Sequence, residues 1–167
     1  MRQRITVPEI LYPYEAARFK YDRLGMSATV KDNNPSQNDS QRRALILVVE
    51  RNPAVQRLER FFLEQAGYSV DFASDGRSAL HRAQELCPKI VVTEILVPHL
   101  DGLSLCRALK SDPRTSSIVV LVFSHLYAED RALEAGADAF IVKPIDEQHL
   151  IETVSKLLEV RGMGNGG

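Results

Sequence analysis

Four short stretches carry the side chains best suited to chemistry: Glu50-Arg51-Asn52, Glu94, Ser124-His125 and Lys143-Pro144. Each closes or directly follows a run of apolar residues. Carboxylates, a hydroxyl and a lysine brought together suit magnesium-assisted phosphoryl transfer. The carboxylates hold the ion, and the lysine and hydroxyl bind the phosphoryl oxygens. Other chemistries find less support. No glycine-rich phosphate loop follows the first apolar run, and no Gly-x-Ser-x-Gly elbow occurs. The Ser124-His125 pair has no orienting acid placed beside it in sequence. His81, His99, His125 and His149 are scattered, without the spacing of metal ligands. A small enzyme on this scaffold is therefore only a remote alternative.

The elements that must position these groups alternate. Ala44–Val49 is a continuous apolar run, as expected of a strand buried on both faces. Asn52 caps and Pro53 opens a helix that stops at Gly67 and turns Val55, Leu58, Phe62 and Gln65 to one side. Tyr68–Phe72 reads as a second strand, and a helix starts at Ser74 or Asp75 and ends near Leu86. Lys89–Thr93 is a third strand, followed by the loop Glu94–Asp101 and a helix from Gly102 to about Lys110. Ile118–Phe123 is a fourth strand, and a shorter helix spans roughly Tyr127 to Ala135, ended by Gly136. Ala139–Val142 is a fifth strand. Asp146 caps a last helix with Leu150, Val154, Leu157 and Leu158 on one stripe, running to about Val160. Strands alternating with helices predict an α/β domain with a parallel sheet covered on both faces. In such sheets ligands sit at the carboxyl ends of the strands, where the strand order reverses. All four chemical stretches fall at such ends.

Composition sets the bounds. The 167 residues are 44% hydrophobic and 26% charged, with a net charge of −1. These values fit one globular domain and give no broad pull toward nucleic acid or anionic membrane. Met1–Ile10 lacks a continuous apolar core, so no secretory signal is expected. Cys87 and Cys106 lie in apolar periodic segments and read as reduced core thiols of a cytoplasmic protein. Residues 31–43 contain no aliphatic or aromatic side chain and read as a flexible linker. The expected organisation is an N-terminal segment over 1–30, the linker, a domain over 44–160 and a flexible tail over 161–167. In the N-terminal segment Tyr14, Ala17, Tyr21 and Leu24 share a helical stripe before Gly25. A helix that short is marginal alone, so a disordered tail is the favoured reading. A start at Met26 is a third.

The stretch Ile90-Val91-Val92-Thr93-Glu94-Ile95-Leu96-Val97-Pro98-His99-Leu100-Asp101-Gly102 resembles the phosphorylation loop of bacterial response-regulator receiver domains. The resemblance extends over about residues 44–160. It includes the apolar run before Glu50, Ala135-Gly136-Ala137-Asp138 and Lys143-Pro144. It implies a doubly wound (βα)5 flavodoxin-like, CheY-like single domain with strand order 2-1-3-4-5. It also implies a role for each position. Glu50 and Arg51 stand where two adjacent acids bind Mg²⁺. Glu94 stands where an aspartate accepts a phosphoryl group from a histidine kinase. Ser124 matches the hydroxyl that bonds the phosphoryl group, and His125 replaces a small residue that leaves it room. Lys143 matches the pocket lysine, with a cis peptide to Pro144 by analogy. Phe140 matches the aromatic that swings inward on activation, although an ordinary core role is the commoner one. Asp101 reads as a turn and helix-start residue. Lys143 follows Ser124 by 19 residues. That is fewer than the family commonly uses, which implies a fourth helix or preceding loop trimmed by about one turn and a changed output face.

Two departures bear on the reaction. Arg51 reverses the charge of an ion ligand, and an arginine facing Mg²⁺ at about 4 Å is repelled by several kcal/mol. An ion pair from Arg51 to Glu94 or Glu50 is the expected arrangement. The extra methylene of Glu94 displaces its carboxylate by roughly 1.5 Å, and in-line transfer tolerates little misplacement. The leading expectation is a non-enzymatic receiver-like module in two-component signal transduction. It would act through protein partners, a sensor histidine kinase or a separate output protein, without conventional aspartyl phosphorylation. No cofactor and no metal are expected. The alternative is a phosphorelay receiver with Glu94 as acceptor, in which Glu50 and Glu94 hold Mg²⁺.

Overall fold

The structure is a computed structural model and describes residues 44–144 and 147–163. The expected N-terminal segment and linker, the Asp146 cap and the last four residues lie outside the described residues.

In chain order the elements are β1 (Leu45–Val49), α1 (Pro53–Gln65), β2 (Ser69–Ala73), α2 (Gly76–Leu86), β3 (Ile90–Thr93), α3 (Gly102–Ser111), β4 (Val119–Ser124), α4 (Glu129–Glu134), β5 (Ala139–Val142) and α5 (Glu147–Met163). The five strands form one sheet in the order β2-β1-β3-β4-β5. All its pairings are parallel. Strands β1, β3, β4 and β5 read as nearly continuous apolar runs because both faces are covered, whereas β2, at a sheet edge, carries Ser69 and Asp71. Side chains alternate between the faces with a period of two. Leu47, Val49, Val91, Val120 and Val122 pack with Ala79 and Ala83 of α2, Leu103, Leu105, Cys106 and Leu109 of α3 and Ala132 of α4. Ile46, Val48, Ile90, Val92, Leu121, Phe123 and Ile141 pack on the other face with Leu63 of α1 and Leu150, Val154 and Leu157 of α5.

Helix starts follow the capping residues. Asn52 accepts from Ala54 N, Asp75 from Ser78 N, and Asp101 from Leu103 N and Ser104 N. Each satisfies amide groups that the first helical turn leaves without partners. Where no cap exists the helix shortens. Ala128 precedes α4 and offers no side-chain acceptor, and α4 has 6 residues. The expected helix from Tyr127 to Ala135 is thus reduced at both ends, and Tyr127 is 82% exposed.

Three further expectations are corrected. The buried face of α1 is not Val55-Leu58-Phe62-Gln65. Leu58 is 54% exposed, whereas Glu59 is 4% exposed and Leu63 is fully buried. Val55, Glu59, Phe62 and Leu63 have equally good helical spacing, and this stripe, which includes a carboxylate, is the one turned inward. Cys106 is buried, but Cys87 is exposed. It ends α2 in the left-handed conformation, at φ 47°, outside the buried stripe. Helix α5 continues to Met163, three residues past its expected end and into the expected tail.

Candidate functional site

The sheet brings the four chemical stretches together. Strands β1 and β3 are neighbours at the point where the strand order reverses, with Val49 paired to Thr93. Glu50 and Glu94 therefore emerge side by side. The amide of Glu94 donates to Val49 O at 3.0 Å. Ser124, the last residue of β4, and Val142, the last of β5, are also paired. Lys143 follows at once, and its amide donates to Ser124 O at 2.8 Å.

The loop after Glu94 is pinned from both ends. Gly102 N donates to Ile95 O at 2.9 Å, and Gly76 N donates to Pro98 O at 3.2 Å. His99 adopts a left-handed conformation, φ 65°. A Cβ on Gly102 would lie 2.3 Å from Glu94 O, so α3 can start this close to the pocket only from a glycine. Asp101 serves as the cap of α3 and takes no part in the pocket.

Lys143 is the centre of the charge arrangement. Its Nζ lies 2.7 Å from Glu50 Oε2, 3.4 Å from Glu59 Oε1 and 3.6 Å from Glu94 Oε2. It also sits 4.6 Å from the centroid of the Phe123 ring. All four charged residues are buried. Burial by itself would pull the Lys143 ammonium down, but Glu59, Glu50 and Glu94 outweigh it and hold the group above the usual lysine range.

Glu94 is hydrogen-bonded at one oxygen and ion-paired at the other. Its Oε1 accepts from Ile95 N at 2.7 Å, from Leu96 N at 3.4 Å and from the Ser124 hydroxyl. Its Oε2 faces Lys143. Burial opposes the charge, yet the Ser124 hydroxyl, Lys143 and the two amides prevail and hold the carboxyl below its usual range. The Ser124 oxygen in turn accepts from Leu126 N at 3.2 Å. Glu50 accepts from Asn52 N at 2.8 Å through Oε1, which leaves Oε2 to Lys143.

Arg51 is not part of this cluster. It is exposed, and no ion pair joins it to Glu50 or Glu94. The expected salt bridge is replaced by the one from Lys143, which reaches the carboxylates from the end of β5, while Arg51 lies in the loop before α1. His125 and Pro144 are exposed, and Phe140 is half-buried. Phe140 packs against the core on the α2–α4 side of the sheet. The Lys143–Pro144 peptide is cis.

The residue that the sequence reading missed is Glu59. It reaches Lys143 from α1, and its Oε2 has no hydrogen-bond partner among the described residues. Desolvation, partly offset by Lys143 and reinforced by Glu50, pushes its carboxyl up to about 7. Its position two turns after Asn52, between Val55 and Leu63, was the available signal.

Comparison with known proteins agrees with this geometry. The response regulator receiver domain family matches residues 46–155. The chain is 34% identical over 116 residues to the DNA-binding dual master transcriptional regulator RpaA of Synechocystis sp., covering 68% of this chain and 48% of that protein. It is 40% identical over 114 residues to the response regulator MprA of Mycolicibacterium vanbaalenii, covering 68% and 49%. The chain thus spans about half the length of these curated relatives. Among solved structures, a putative response regulator from Chloroflexus aurantiacus superposes with a TM-score of 0.67 at 28% identity, covering 70% of this chain and 98% of that one. The receiver domain of the sensor histidine kinase PA1611 from Pseudomonas aeruginosa, solved with a magnesium ion in its active-site cleft, superposes with a TM-score of 0.65 at 25% identity, covering 70% and 98%. Family match, strand order and pocket position agree: the chain belongs to the response regulator receiver domain family of two-component signalling.

Proposed function

We propose that this receiver acts through protein contacts, with its pocket held by its own side chains rather than by aspartyl phosphorylation. The observation that carries the proposal is the bonding of Glu94. The Ser124 hydroxyl donates to its carboxylate and Lys143 stands 3.6 Å away. Those are the two groups that the receiver pattern assigns to phosphoryl oxygens. Here a carboxylate on a longer arm engages both. Glu94 is then a permanent stand-in for a phosphorylated aspartate, and the loops at the ends of β3 and β4 are tied together without a modification.

The donor set supports the same reading for metal. Mg²⁺ demands near-octahedral oxygen ligands and is usually held by one or two carboxylates with several waters. One position of the acid pair is Arg51, which is exposed. The carboxylates of Glu50 and Glu94 both face an ammonium. These residues do not fit a magnesium site, and no step of the proposed function uses one.

The partner is a protein: a sensor histidine kinase that docks without transferring phosphate, or an output protein that reads the fixed state. No nucleic-acid contact and no enzymatic activity are assigned to the described domain. Among the described residues no helix is long and apolar enough to cross a membrane. A cytoplasmic site of action is part of the proposal.

The test is incubation of the protein with acetyl phosphate and Mg²⁺, followed by intact mass measurement. The expected spectrum is unchanged. A gain of one phosphoryl mass mapped to Glu94 overturns the proposal in favour of Glu94 as a working acceptor.

A further inference from the structure

We propose that Glu59 is a proton-binding site built into the pocket, and that its occupancy sets how firmly Lys143 is held toward Glu94. The inference deepens the reading above, since it concerns the pocket in which, among the described residues, Lys143 is the cation that meets the carboxylates.

Charge count is the starting point. Three buried carboxylates, Glu50, Glu59 and Glu94, share one buried ammonium. With every carboxylate ionised the cluster carries two uncompensated negative charges away from water, an arrangement that buried groups escape by taking up a proton. The proton goes to the carboxylate with the fewest other bonds. Glu94 has two amides and a hydroxyl, and Glu50 has an amide and the closest approach of Lys143. Glu59 has Lys143 at 3.4 Å through Oε1 and, among the described residues, no hydrogen-bond partner at Oε2.

The surroundings of Glu59 point the same way. The charged groups acting on it are Lys143 from the end of β5, Glu50 from the end of β1 and Glu94 from the end of β3. On α1 itself Arg60 is engaged by Glu64 and the Phe72 ring and Arg57 is exposed, as is Arg51 in the loop before it. On β2, which packs against α1, Asp71 is paired with Arg82 of α2. On α5, which also packs against α1, Glu152, Lys156 and Glu159 are exposed and His149 is half-buried. The balance of desolvation against Lys143 places the Glu59 carboxyl at about 7.

The consequence is a coupling. With Glu59 protonated, Lys143 divides its charge between Glu50 and Glu94. With Glu59 ionised, a third carboxylate competes for the ammonium from the α1 side, and the hold on Glu94 loosens. A change of pH or a protein docking beside α1 that alters the proton on Glu59 would thus be read at Glu94.

Carboxyl-detected NMR of the full chain, labelled at the glutamate side-chain carbons, tests this over a pH titration from about 5 to about 9. No acetyl phosphate is present, so the outcome is independent of whether Glu94 can be phosphorylated. The expected result is one resonance, absent from Glu59→Gln, with a midpoint near neutrality. It corresponds to a proton affinity raised roughly several-hundred-fold over an ordinary glutamate. The Glu94 resonance should show an inflection at the same pH, lost in Glu59→Gln. A Glu59 midpoint in the ordinary carboxylate range overturns the proposal, and this reading needs only the unmodified protein. So does a Glu94 curve that is the same with and without Glu59.

Discussion

Lys143 and Glu50 stand 93 positions apart in the sequence and meet at 2.7 Å in the interior. The contact ties the end of β5 to the end of β1, two strands that are not neighbours in the sheet. It sets the Lys143 ammonium against Glu50, the first of the two acid-pair positions. Arg51, the cation that the sequence made conspicuous, lies outside in solvent.

Removing that charge should be costly. Lys143→Met leaves Glu50, Glu59 and Glu94 buried without a cation, and breaking a buried ion pair at one partner costs on the order of 3–5 kcal/mol. Urea denaturation above neutral pH should show a loss of this size. The loss should be smaller in mild acid, where Glu59 is already neutral.

The unmodified protein should itself respond to pH. The Glu59 carboxyl is raised from an ordinary 4.5 to about 7 on folding, so the folded state binds the proton more tightly than the unfolded chain does. This contribution to stability is complete below the unfolded value and declines as pH rises through the folded one. Its full size is on the order of 3 kcal/mol. Denaturation midpoints should fall between mild acid and slightly alkaline pH, and Glu59→Gln should flatten that part of the curve.

Ser124→Ala removes the hydroxyl that donates to Glu94 and leaves Leu126 N without its acceptor. A hydrogen bond to a charged group contributes about 1.5–3 kcal/mol, and a stability loss of that order is expected near neutral pH. Glu94 is held below its usual range, so its share of stability is present above the unfolded carboxylate value and lost as pH falls through the lowered one. The variant should therefore lose less stability than the parent on acidification.

The sequence made much of this legible, for physical reasons that can be named. Apolar runs marked β1, β3, β4 and β5 to within about one residue, because a parallel sheet covered on both faces requires them; β2 alternates with Ser69 and Asp71 at the sheet edge. Asn52, Asp75 and Asp101 marked three helix starts, because amides at a helix end need acceptors. The fourth helix starts later than expected because Ala128 offers no side-chain acceptor to cap it. The pocket residues could be named from their places at strand ends, but their pairing could not. Whether Arg51 or Lys143 faced the carboxylates depended on which backbone pointed inward. Glu59 was overlooked because a carboxylate belongs on the buried side of a helix only when a distant cation meets it, and that cation lies 84 positions further along.

The central claim is that the pocket is complete without metal or phosphate. Crystals exposed to magnesium and a beryllofluoride salt test it most directly. The account predicts Lys143 still bridging Glu50 and Glu94, with no ion at the carboxylates and no fluoride adduct. A magnesium ion bound by Glu50 and Glu94, with beryllofluoride bonded to the Glu94 carboxylate, would contradict it.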